Sequence, residues 1–228
     1  EGTGNVSLDI TNTIGSTFSG SVTKNFDVDN DSTAEAHNAG LFIETAGSIH
    51  VGIDHSLTSD GAKIFLIANG VSDFSGTDRS LYFSSQLYSD LTTTNGLIYL
   101  KGEGVYQVSG VNIADITAGS QRIIIDGGDE DIYLGGRLTT THDDTDGPAI
   151  LLRNATDVSI TGVSNSKNGT LQIGTAKSGG SSADVTGDVN QLFLTSNGIN
   201  VKTISAYTGG DITITSTQND FDHTGTIE

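Results

Sequence analysis

The chain of 228 residues contains no Cys, Met or Trp, and its single proline is Pro148. The lack of Cys excludes disulfides, thiolate metal sites and cysteine nucleophiles. With 28 acidic against 10 basic residues and a net charge of −18, the chain should repel nucleic acids and anionic lipids, so we expect neither as a partner. No apolar run approaches the ~18 residues of a membrane span, so no membrane insertion is expected.

The first 38 residues are more polar than the rest of the chain. Strand-like alternation at Val6, Leu8 and Ile10 fades after Ile14, and residues 27–38 are predicted to form a loop. We interpret residues 1–38 as a boundary or an elaboration, and residues 39–228 as the main body. Because the chain starts with Glu1 rather than Met, we expect it to be a segment of a longer protein.

Short apolar clusters with a period of two recur through the main body, and no helix is predicted. This spacing places the apolar side chains on one face of a strand. Gly, Asn, Asp and Ser, which form tight turns, separate the clusters. Representative clusters are Leu41/Ile43, Ile49/Val51, Ile64/Leu66, Leu81/Phe83, Ile98/Leu100, Ile123/Ile125, Ile132/Leu134, Ile150/Leu152, Val158/Ile160, Leu171/Ile173, Leu192/Leu194 and Ile212/Ile214.

A weak internal repeat favours one all-β architecture. The run from Ile49 through Leu57 to Ile64 is similar to the run from Ile132 through Leu138 to Ile150. The triplet at 98–100 is interpreted as the start of a third copy, and the one at 212–214 as the start of a fourth. Repeats that cannot bury an apolar face alone are typical of a β-solenoid, whose stacked coils share one core. One or two β-sandwich domains remain the alternative.

Several of these stretches resemble the repeats of filamentous-haemagglutinin-type bacterial surface and secreted proteins. The resemblance lies in the stretches 131–141, 168–174, 210–216, 219–221 and 224–227. It implies a right-handed parallel β-helix, export, adhesion or matrix formation, and no catalysis. No secretion motif of that family is recognisable, so no functional residue is transferred.

Two acidic loops are candidate calcium sites. Asp27, Asp29 and Asp31 place carboxylates at alternate positions, and Asp143, Asp144 and Asp146 form a second cluster; the six are the candidate metal ligands. Oxygen-rich loops of this kind suit Ca²⁺. The first loop is not an EF-hand, because Ser32 takes the glycine position and Asn38 that of the bidentate Glu. Solvated acidic turns are the alternative, and no cofactor is required.

Catalysis is not expected. His142 beside Asp143 and Asp144, flanked by Arg137 and Arg153, is the only cluster that could serve a polysaccharide lyase or hydrolase. The other signatures of polygalacturonase-like β-helix enzymes are absent. The histidines also lack the spacing that commonly builds zinc sites.

The sequence therefore predicts a secreted or cell-surface protein with a structural or adhesive role. Its expected partners are copies of itself or flanking repeats stacked end to end, and surface polysaccharide. A carbohydrate-active β-helix enzyme and a calcium-binding adhesin module are the alternative functions.

Overall fold

A computed structural model describes the chain over residues 6–8, 22–26, 35–51, 57–59, 63–69, 72–73, 78–79, 81–83, 91–107, 115–165, 167, 169–174, 189–196, 199–200, 203–206, 212–216 and 226–227. Throughout these ranges the ordered elements are strands, and no helix occurs. Consequently the described part of the chain has no helix long and apolar enough to cross a membrane.

The strands are short, apart from two that run through several corners of the fold. In chain order they are β1 (Val6–Leu8), β2 (Val22–Phe26), β3 (Glu35–Thr45), β4 (Ile49–Val51), β5 (Leu57–Ser59), β6 (Lys63–Ala68), β7 (Ser72–Asp73), β8 (Asp78–Arg79), β9 (Leu81–Phe83), β10 (Leu91–Thr93), β11 (Ile98–Lys101), β12 (Val105–Gln107), β13 (Ile116–Ala118), β14 (Ile123–Thr140), β15 (Ile150–Asn165), β16 (Thr170–Ile173), β17 (Val189–Ser196), β18 (Ile199–Asn200), β19 (Thr203–Ala206), β20 (Ile212–Ser216) and β21 (Thr226–Ile227).

Parallel pairing arranges these strands in three columns, each containing one strand from successive coils. Column 1 contains β3, β6, β11, the start of β14, the start of β15, β16, β19 and β21. Column 2 contains β1, β4, β9, β12, the middle of β14 and of β15, β17 and β20. Column 3 contains β5, β10, β13, the ends of β14 and β15, and β18. The fold is a parallel β-solenoid, which completes about 3 turns where it is described most continuously.

Two antiparallel pairings depart from this pattern. Strand β2 pairs with the first half of β3, and the two short strands β7 and β8 pair with each other. The β2–β3 pairing extends from the polar N-terminal stretch to Ala39, so residues 35–38 of the predicted loop form a strand instead. Strand β1 from that same stretch belongs to column 2. The boundary at residue 38 stays a prediction.

The core is a stack of aliphatic side chains on the inner faces of the three columns. In column 1, Ile98, Ile123 and Ile150 lie in register and are fully buried. In columns 2 and 3, Ile132 and Leu138 occupy the equivalent buried positions. Removing such apolar surface from water is the main stabilising term of the fold. Because each coil supplies only a few of these side chains, the core exists only when neighbouring coils stack.

Column 1 is also buried on its outer face. Phe42, Phe65, Tyr99, Ile124 and Leu151 follow one another in register on that face, and the last four are between 0% and 2% exposed. The ring centroid of Phe65 lies 6.1 Å from that of Phe42 and 6.1 Å from that of Tyr99. This second apolar stack buries the rings of Phe65 and Tyr99, so column 1 is packed on both of its faces.

A hydrogen bond from a backbone amide to a side-chain oxygen recurs in the turns that follow column 3. Thr93 Oγ1 accepts a hydrogen bond from the Gly96 amide, and Thr140 Oγ1 accepts one from the His142 amide. In the next coil Asn165 Oδ1 accepts from the amides of residues 167 and 169. These polar side chains are buried, and satisfying the turn amides offsets the cost of burying them.

The parallel β-solenoid predicted from the sequence is confirmed, and the β-sandwich alternative is wrong, because the columns pair in parallel around one core. The repeat aligned from Ile49 and Ile132 is also correct, since both residues occupy column 2. The triplet at 98–100 was assigned wrongly as a copy of these, because it lies in column 1.

Candidate functional site

The loop at residues 141–149 joins column 3 to column 1 and is longer than its counterparts at 94–97 and 119–122. It carries three of the predicted calcium ligands and His142. The other three, Asp27, Asp29 and Asp31, lie outside the described residues, so that candidate site is neither supported nor contradicted.

The three carboxylates of this loop have different surroundings. Asp144 Oδ1 accepts hydrogen bonds from the amides of Ala149 (2.8 Å) and Thr170 (2.9 Å), while Oδ2 accepts from the Thr170 hydroxyl (2.7 Å). Asp143 is exposed, and the hydroxyl of Thr145 donates to it. This hydrogen bond is the largest of the effects that lower the pKa of Asp143. Asp146 is 67% exposed and points towards His142.

His142 is buried at the base of this loop. Its Nδ1 lies 3.2 Å from the carbonyl oxygen of Ser120, and because a carbonyl only accepts, Nδ1 carries a hydrogen. Its Nε2 lies 2.7 Å from Asp146 Oδ1, close enough for an ion pair when the imidazole is protonated but not aligned as a hydrogen bond. The Asn165 side chain donates to the His142 carbonyl. His142 thus ties the loop to the coils on both sides.

Arg122 is a loop contact that the sequence reasoning missed. Its Nε donates to the Pro148 carbonyl (2.9 Å) and its Nη1 to the Asp146 carbonyl (3.0 Å). Gly147 adopts a φ of +117°, and a Cβ there would lie 2.9 Å from the guanidinium carbon. The φ of Gly147 favours glycine, and the missing Cβ leaves room for the Arg122 guanidinium beneath the loop. The Gly147–Pro148 pair in the sequence indicates a turn at this point of the loop. It does not indicate that an arginine of the preceding coil contacts that turn.

The arginines assigned to the catalytic alternative have other contacts. Arg153 Nε bonds Asp126 Oδ2 at 3.1 Å, and the amide of Arg137 donates to Asp115. No group of three or more His, Asp or Glu side chains within the described ranges is arranged to hold a metal ion. Calcium binding by Asp143, Asp144 and Asp146 stays a prediction.

A polar groove lies on the opposite side of column 1, at the corner that leads to column 2. We call it the corner groove, and its volume is about 390 Å³. Its lining comes from four successive coils and consists of Ala68, Asn69, Lys101, Gly102, Glu103, Asp126, Gly128 and Asn154. Charged groups from several coils converge on this space.

Asp126 is the fixed centre of the corner groove. It is 3% exposed, and its Oδ2 accepts hydrogen bonds from Arg153 Nε (3.1 Å) and Asn154 Nδ2 (2.9 Å). Its Oδ1 accepts from the Gly128 amide (3.2 Å). Arg153 is 2% exposed and retains an Nη1 with no hydrogen-bond partner among the described residues. A buried ion pair held in this way fixes its geometry, and losing one partner leaves a costly buried charge.

The backbone of the groove is shaped by residues in left-handed conformations. Gly128 has a φ of +58°, and a Cβ there would lie 2.6 Å from the Gly102 carbonyl oxygen. Asn154 has a φ of +48°, which is uncommon for a residue with a side chain. The absence of a Cβ at Gly128 lets the two consecutive coils lie close together at this corner. The groove was not predicted, because its residues are spread over successive coils and form no local motif.

Comparisons with known proteins give no further information on the site. No family model, no curated protein and no solved structure matches this chain. The fold defines the class, a parallel β-solenoid protein, and no family evidence supports the resemblance to the filamentous-haemagglutinin type.

Proposed function

We propose that this chain is a structural or adhesive segment of a secreted or cell-surface protein, a β-solenoid rod of the filamentous-haemagglutinin style. The proposal rests chiefly on one observation, the in-register stacking of parallel coils around a shared aliphatic core. Such a stack can be extended by any further coil that continues the same columns.

The outermost described strands support extension at the ends. Among the described strands, β1 pairs only with β4, β20 only with β17, and β21 only with β19. A strand paired on one side presents unused N–H and C=O groups, which favour pairing with another strand. Further coils of a longer chain or a second copy of this chain would satisfy them, and head-to-tail stacking of copies gives an open filament.

The proposed role is non-catalytic. The carboxylate of Asp144 is used in structural hydrogen bonds, and Arg153 is bonded to Asp126 rather than to His142. The net charge of −18 suits an exported protein that stays soluble and binds neither nucleic acid nor anionic membrane. These features favour the adhesive role over the carbohydrate-active enzyme.

End-to-end association is tested by sedimentation velocity and negative-stain imaging across a range of protein concentrations. We expect the wild-type chain to form elongated assemblies that grow with concentration. Successive N–H groups of a strand point to opposite sides, so Thr213→Pro and Ile214→Pro form a matched pair. The substitution at the residue whose N–H points away from β17 should suppress assembly and keep the melting temperature of the wild-type chain. The substitution at the residue whose N–H bonds to β17 should lower the melting temperature, because it breaks that bond.

Leu8→Pro applies the same test to β1, and Lys167→Ala, an exposed change on an internal coil, is the control. A wild-type chain that stays monomeric at every concentration, with or without Ca²⁺, would contradict end-to-end stacking.

A further inference from the structure

The corner groove contains unused hydrogen-bonding groups of both kinds. Lys101 is half-buried and offers up to three N–H donors, and Glu103 is exposed and offers carboxylate acceptors. Among the residues that the structure describes, neither side chain has a hydrogen-bond or ion-pair partner. Donors and acceptors facing one space are what a ligand rich in hydroxyl groups requires.

The rest of the groove is already rigid. Asp126 is held by Arg153, Asn154 and the Gly128 amide. The floor is tied by backbone bonds from the Gly102 amide to the Asp126 carbonyl (3.1 Å) and from the Gly104 amide to the Gly127 carbonyl (2.8 Å). A site that is ordered before binding loses little conformational entropy when a ligand arrives.

The shape of the groove follows the solenoid axis. Asn69, Lys101, Asp126 and Asn154 belong to four successive coils. Three strand spacings correspond to about 14 Å. The volume of about 390 Å³ lies within the range of small-ligand sites. An extended ligand a few polar rings long therefore fits along the axis better than a compact one.

The charged groups of the corner groove limit the chemical class of the ligand that it can bind. The lining carries the cation Lys101 and the carboxylate of Glu103, while the carboxylate of Asp126 is already paired with Arg153. The chain as a whole has a net charge of −18, so an anionic ligand is disfavoured. A metal ion is disfavoured by the ammonium group of Lys101 in the lining. An apolar ligand would leave these polar groups desolvated without partners.

We propose that the corner groove is a binding site for a neutral oligosaccharide lying along the solenoid axis, hydrogen-bonded by Lys101 and Glu103 and positioned by Asp126. This inference rests on the adhesive part of the proposed function and identifies the class of its ligand. It does not require end-to-end stacking.

The test is calorimetric titration with neutral hexasaccharides, namely cellohexaose, maltohexaose, laminarihexaose and chitohexaose, with trigalacturonate as the anionic comparison. Amide NMR shifts would locate the bound sugar. We expect at least one neutral hexasaccharide to bind saturably and shift the amides of residues 101–103, 126–128 and 154, and trigalacturonate to bind at least tenfold more weakly.

Glu103→Ala and Lys101→Ala should each weaken binding about tenfold, because each removes hydrogen bonds from a charged group. Glu130→Ala and Lys167→Ala, which change the net charge equally at exposed positions outside the groove, should leave affinity within about twofold. Equal melting temperatures would show that all four variants are folded.

The inference is overturned if none of the four hexasaccharides binds, or if binding is unaffected by both groove variants. It is also overturned if the controls weaken binding as much as the groove variants do. Sedimentation of the same samples reports on end-to-end stacking independently, so failure of the groove and failure of the rod can be told apart.

Discussion

At the scale of single residues, Asp144 is a structural clamp between coils. Its carboxylate accepts hydrogen bonds from the amide and hydroxyl of Thr170, which lies 26 residues further along the chain. It also accepts the Ala149 amide within its own loop. In an exposed loop these carboxylate oxygens would accept hydrogen bonds from water. Here they accept them from protein groups, and this fixes the shape of the loop.

Asp144→Ala should lower the free energy of unfolding by about 2 kcal/mol, because it leaves partly buried amides without acceptors. Urea denaturation provides the measurement. Asp143→Ala, an exposed neighbour, is the matched control and should leave the urea midpoint close to that of the wild-type chain. Similar losses in the two variants would show that Asp144 does not clamp the coils.

A second prediction concerns the titration of Asp143. The hydroxyl of Thr145 lowers the pKa of Asp143 in the folded state. A lowered folded-state pKa contributes stability that is present above the unfolded-state pKa and lost as the pH falls through the folded-state value. Thr145→Val should raise the pKa of Asp143, which NMR titration of its carboxyl carbon would measure. An unchanged pKa would mean that the hydroxyl does not donate to Asp143 in solution.

The sequence predicted these aspartates as equivalent ligands, and only the fold distinguishes them. Asp143, Asp144 and Asp146 share one loop and one residue type. Their roles differ because the next coil brings Thr170 to Asp144, whereas Asp146 faces the buried ring of His142 within the same loop. The contact with Thr170 depends on which coils are neighbours, which a local motif does not encode.

At the scale of strands, column 1 is apolar on both faces. Ile123 and Ile125 face the core, while Ile124 between them belongs to the outer stack with Phe65 and Tyr99. A strand buried on both faces carries a continuous apolar run instead of an alternating one. The run at 150–152 in the next coil follows the same pattern.

Ile124→Asp should destabilise the protein by several kcal/mol and is expected to unfold it, because it buries a charge without a partner. Ile124→Val, which removes one methylene group, should cost only about 1 kcal/mol. Circular dichroism with thermal melting distinguishes the two. A folded Asp variant with a melting temperature near that of wild type would mean that the outer face of column 1 is open to water.

The inner stack of the strands was predictable from the sequence, whereas the outer stack was not. Period-two triplets such as Ile132 and Leu134 imply one buried face, and the structure buries both residues. The uninterrupted runs at 123–125 and 150–152 were available as a signal for burial on two faces. The groove residues Lys101 and Asp126 could not be paired in advance, because their neighbourhood depends on coil register.

At the scale of the whole molecule, a net charge of −18 is spread over a stack of coils that must stay together. Self-repulsion destabilises the compact state, and salt weakens that repulsion. Any divalent cation would therefore stabilise the protein to some extent. A specific calcium site must add to this general effect.

Millimolar Ca²⁺ should raise the melting temperature more than Mg²⁺ or NaCl of matched ionic strength, because a ligand that binds only the folded state stabilises it. The excess over Mg²⁺ should decrease in a variant carrying Asp143→Asn and Asp146→Asn. Differential scanning calorimetry measures all of these shifts. Equal shifts in melting temperature with the three salts would mean that the acidic loops are solvated turns without a specific calcium site.

The stacking register has a consequence for how the chain folds. Contacts between coils join residues about one coil apart, 25 residues for Ser120 and Asn95 and 27 for Arg153 and Asp126. The entropy lost on closing a loop depends on its length, so each added coil loses about the same amount however many precede it. Folding can therefore spread from any stable pair of coils, one coil at a time. A longer β-solenoid with coils of this length would fold by adding more coils, but the addition of each coil would not require a longer conformational search.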